Sequence, residues 1–114
     1  MKVSNNFDGW RPSGPEVRSI IDLFAQADDA ARRTRFAVLE VTDADGSSWK
    51  FDTLEEFLDE LARDSFTRFL LATDYGSAEL TVSCSPYATQ VNLTLPQRDQ
   101  MQSVMADVAE ISRQ

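Results

Sequence analysis

The sequence predicts an α+β fold: an antiparallel sheet of about five strands with helices packed mainly on one face, in the order α-β-β-α-β-β-β-α. Three observations predict it. Residues 78–95 alternate apolar and polar side chains at the two-residue period of a half-buried strand. Three other segments repeat apolar residues at the three- and four-residue spacing of a helix face. The links between the strand-like segments are short and made of turn formers, which joins neighbours antiparallel. A chain of 114 residues without internal repeat or linker fits one domain.

Residues 1–14 (MKVSNNFDGWRPSG) show no period and read as an irregular arm. Within it, Phe7 and Trp10 either fold back onto the core or anchor another protein, since Trp is enriched at energetic hot spots. The first helix is expected from Pro15 to Arg33. Ser13 or Gly14 can cap it, Pro is tolerated in the first turn, and Val17, Ile20, Ile21, Phe24 and Ala31 form its apolar side. Thr34 to Thr42 is apolar on both alternating sets, as in a central strand. Trp49 and Phe51 flank Lys50 in a short second strand, so residues 34–52 read as a hairpin with Asp43 to Gly46 as its turn.

Thr53 followed by Glu56 reads as a capping box for a second helix, and Asp52, Glu55 and Glu56 suit the positive end of its dipole. Leu54, Phe57, Leu58 and Leu61 make the buried stripe. Strands follow at Phe66–Thr73, Ala78–Cys84 and Ala88–Leu95, joined by DYGS and by a turn around Ser85, Pro86 and Tyr87. Ala78, Leu80, Val82 and Cys84 face one way with Val91, Leu93 and Leu95, leaving a field of uncharged polar side chains opposite. A last helix, with Met101, Val104, Met105, Val108 and Ile111, is expected from Pro96 over the apolar side.

Composition restricts the function. The absence of His removes the commonest general base and imidazole ligand, and the single Cys84 excludes an internal disulfide and a cysteine-ligated zinc. No cofactor or metal is expected. The DADG stretch invites comparison with a calcium loop. An EF-hand register, however, places Val41 at position one and Asp52 at position twelve, and the flanks are strands rather than helices. No apolar run is long enough to span a bilayer, and the expectation is a soluble, cytoplasmic protein.

The formal net charge of −8 disfavours nucleic acid and anionic membranes and favours a basic protein partner. Nine acidic residues between Glu40 and Asp64 stand against Lys50 and Arg63 alone, while the rest of the chain is close to neutral. Glu55 with Asp59, and Glu56 with Glu60, set like charges four apart on a helix, which opposes stability. The leading expectation is a non-catalytic acidic protein-binding module, such as a small inhibitor or immunity-type protein or an accessory subunit. Its partner-binding candidates are Asp43, Asp45, Glu55, Glu56, Asp59, Glu60 and Trp10. Two alternatives remain: a small-molecule-binding domain or cryptic enzyme using a cavity between sheet and helices with Asp74, Tyr75 and Tyr87, and a homo-oligomeric structural protein; the polar sheet face is a candidate partner or homodimer surface.

Overall fold

Six strands pair in the order β1-β6-β5-β4-β2-β3, every neighbour antiparallel. The computed structural model describes residues 1–63 and 65–114. Asp64, one of the acidic residues counted above, lies outside the described residues. The strands are β1 (Val3–Asp8), β2 (Phe36–Asp43), β3 (Ser48–Lys50), β4 (Phe66–Thr73), β5 (Glu79–Cys84) and β6 (Ala88–Thr94). The helices are α1 (Gly14–Ala27), α2 (Asp29–Arg32), α3 (Leu54–Ala62) and α4 (Arg98–Ser112). The α+β class stands, with six strands where about five were expected.

The expected irregular arm contains an edge strand. Val3–Asp8 pairs along its whole length with β6, Val3 opposite Leu93 and Asp8 opposite Ala88. Only Val3 and Phe7 of this strand pack against the core. Its remaining side chains are polar and exposed, as an edge strand tolerates. The expected helix from Pro15 to Arg33 is broken at Asp28, whose backbone is extended and whose carboxylate accepts the Ala30 N–H at 2.9 Å. Asp28 therefore ends α1 and caps α2. The complete capping box also lies elsewhere than predicted. It forms at Ser13 and Glu16 of α1, whereas at α3 Thr53 receives the Glu56 N–H but donates its own hydroxyl to the Glu56 carboxylate.

Core residues come from the inner face of the sheet and from three helices laid across it. Leu39, Val41, Phe69, Leu71, Leu80, Val82, Val91 and Leu93 meet Val17, Ile20 and Phe24 of α1, Phe57 and Leu61 of α3, and Met101 and Val108 of α4. Leu58 and Met105 are buried, as their helical registers require. Helix α1 lies in the middle of the layer, touching both α3 and α4, while α3 crosses β2 and α4 crosses β1 and β6. Gly14 permits the close α1–α3 approach, since a Cβ there would stand 3.2 Å from the Leu58 carbonyl oxygen. The outer sheet face carries Gln90, Ser83, Asn92 and Thr81, as the alternation predicts, and the unforeseen strand β1 adds Asn6. Leu70 and Ala72 of β4 and Val38 of β2 add a half-buried apolar centre to it.

Candidate functional site

Helix α3 presents its acids where the sequence places them, but most are already engaged. The Arg18 guanidinium donates to both oxygens of Glu55, at 2.6 and 2.7 Å. Glu60 meets Arg63 at 3.5 Å with its side chain only 24% exposed. Glu56 takes the Thr53 hydroxyl in the cap. Asp59 is exposed and forms no ion pair among the described residues. Arg18 is held above its ordinary pKa by its hydrogen bonds and charge interaction with Glu55, with Asp22 of α1 and Asp59 of α3 adding to the effect. Asp22 thus joins the acidic surface from another helix.

The β2–β3 turn is the one the sequence predicts. The Gly46 N–H donates to the Asp43 carbonyl at 3.0 Å, Gly46 has φ +90°, and the Asp45 carboxylate accepts the Ser47 N–H at 2.8 Å. The other Asp43 role was not foreseen: its Oδ2 accepts the Trp49 indole N–H at 3.1 Å. Trp49 is 56% exposed on the edge strand β3. With its ring orientation set by Asp43, it is a ready aromatic contact beside acidic side chains.

Trp10 has the opposite fate. Its ring packs edge-on against Phe7 at 5.4 Å, its indole N–H reaches Glu16 at 3.4 Å, and its carbonyl accepts the buried Thr89 hydroxyl at 2.6 Å. It pins the entry to α1, and none of these contacts is with an acidic candidate. Trp10 stands out in the sequence as a large aromatic in a segment without period; the signal for Trp49 is its place on a three-residue edge strand, where one flank has no neighbour.

Between α1 and α4 runs a groove made of two adjoining cavities of about 400 Å³ each, which share Leu23, Gln26 and Asp107. Val104, Leu23 and Ile111 supply its apolar floor; Asp22, Asp99 and Asp107 supply its charge, and no Lys or Arg among the described residues lines it. One end is fixed by Gln100, whose side-chain amide donates to the Ala27 carbonyl at 3.0 Å where α1 breaks.

The three polar candidates of the alternative reading fall at two places. Asp74 and Tyr75 line a 290 Å³ cavity with Arg33 and Arg35 at the β4–β5 turn, while Tyr87 sits at the β5–β6 turn, at the other end of β5. Arg32 and Arg33 both meet Asp29, at 3.4 and 3.9 Å. Cys84 is buried, and that burial pushes its thiol up, away from the nucleophilic thiolate. No group of three or more potential metal-ligating side chains gathers among the described residues, and no described helix is long and apolar enough to cross a membrane. Compared with family models, curated proteins and solved structures, the chain matches none. The functional reading therefore rests on its own residues.

Proposed function

We propose that this protein is a non-catalytic acidic protein-binding module that docks a basic partner on its helical layer, in the manner of a small inhibitor, an immunity-type protein or an accessory subunit. One observation carries the reading: carboxylates from all three long helices adjoin. Glu55 of α3 pairs with Arg18 at 2.6 Å, the charges of Asp22 of α1 and Asp59 of α3 act on the same guanidinium, and Asp22 lines the same cavity as Asp107 of α4. The charge that the sequence concentrates in one segment thus continues across the molecule. Such a surface steers a positive partner, raises the association rate and loses its advantage as salt screens it. Trp49, oriented by Asp43, adds an aromatic contact at the edge of the sheet.

The test compares the parent protein with an Asp22→Asn/Asp59→Asn variant in capture from native extract at low and high ionic strength, followed by association kinetics on the captured protein. The expected result is a basic partner that binds the variant more slowly, with the difference shrinking as salt rises. A partner indifferent both to the two substitutions and to ionic strength would remove this reading and direct attention to the outer sheet face.

A further inference from the structure

We infer that the α1/α4 groove is the seat of a basic amphipathic helix contributed by the partner. The inference rests on the acidic-module reading and assigns the contact to a place the sequence did not single out. The groove has the two attributes that such a helix needs. Its floor is apolar but incompletely covered: Val104 is buried, whereas Leu23 and Ile111 pack against the core yet remain half-exposed. Its walls are acidic: Asp22, Asp99 and Asp107 are exposed and form no ion pair among the described residues. An apolar stripe of an incoming helix would cover the floor while lysines or arginines on its flanks meet the three carboxylates.

Shape agrees with charge. The lining residues of α4 run from Asp99 to Ile111, which at about 1.5 Å per residue is a trough of roughly 18 Å, enough for about three helical turns. The Gln100 bond to the Ala27 carbonyl fixes one end of the trough before any partner arrives. A second copy of this chain is a poor occupant, because it would bring further carboxylates against the same three. A small uncharged ligand would leave the acidic walls without partners.

The experiment uses the full chain, isotope-labelled, with two synthetic peptides of about 15 residues and identical Leu and Lys content. One sets its leucines on a single helical face; the other scatters them. The expected result is saturable binding of the first peptide with amide shifts at Leu23, Gln26, Ser103 and Asp107, and much weaker binding of the second. Asp22→Asn/Asp107→Asn should weaken the first by about 2- to 30-fold at low salt, the loss of two exposed charge pairs. Both substitutions are at the surface, and an unchanged amide spectrum elsewhere verifies the fold. Equal binding of the two peptides, or shifts gathered on α3 around Glu56 and Asp59, overturns the groove but keeps the acidic module. Binding of neither peptide at low salt overturns both. Groove shifts that follow protein concentration without peptide identify a second copy as the occupant and also overturn the proposal.

Discussion

Helix α3 and the α1/α4 groove each carry a group of carboxylates, and they use them differently. On α3, Glu55 is bound to Arg18, Glu60 to Arg63 and Glu56 to the helix cap. In the groove, Asp22, Asp99 and Asp107 form no ion pair among the described residues. The densest run of acids in the sequence is therefore partly neutralised within the fold, while a sparser set, scattered along the chain, is left open to solvent. Charge density along a sequence and charge available to a partner are separate quantities. The fold decides the second.

The sharpest way to break the comparison is to remove α3 from the core. Leu58→Ala is expected to cost about 2–5 kcal/mol in denaturant unfolding, because the side chain is buried in the core. A cost below about half a kcal/mol would mean that α3 carries its acids in another register. Thr53→Ala should cost about 0.5–2 kcal/mol by removing the α3 cap. Helix α4, which supplies one wall of the groove, starts from Gln97 without a side-chain cap bond. Gln97→Ser is expected to stabilise by about 0.5–1 kcal/mol, and no gain would show that this helix end is satisfied by other means.

Smaller effects sharpen the contrast between the two acidic sets. Glu55→Gln should lower stability by about 0.2–1 kcal/mol through loss of its exposed pair with Arg18. Asp107→Asn, which breaks no pair, should leave stability within about half a kcal/mol of the parent. Equal costs for the two would dissolve the distinction. The smallest effect expected is that of calcium: the Asp43–Gly46 turn is closed by its own backbone bond, so millimolar calcium should leave the melting temperature unchanged. A rise of several degrees would convert the turn into a binding loop.

Elements that bury a periodic face were legible in the sequence, and those fixed by distant partners were not. The stripe of Leu54, Phe57, Leu58 and Leu61 and the alternation of β5 and β6 each announce a buried side, and the DADG turn carries its own chemistry. Strand β1 has no such announcement. Ser4, Asn5 and Asn6 are poor strand formers, and pairing with β6 holds them extended. The break at Asp28 was hidden because Ala31 continues the apolar period of α1 across it. The groove was hidden for a related reason: Asp22 and Asp107 become neighbours only when α1 packs on α4, so no window along the sequence contains both.

The pairing of β1 with β6 also fixes an order of assembly. Strands β4, β5 and β6 follow one another through short turns, so their contacts close small loops and can form early. Val3, by contrast, meets Leu93, a contact that spans most of the chain. On the ribosome β1 emerges first and must wait, extended and solvated, until β6 has been made. Its polar Ser-Asn-Asn centre, which cost the strand its legibility, is what lets it wait without seeking a wrong apolar neighbour.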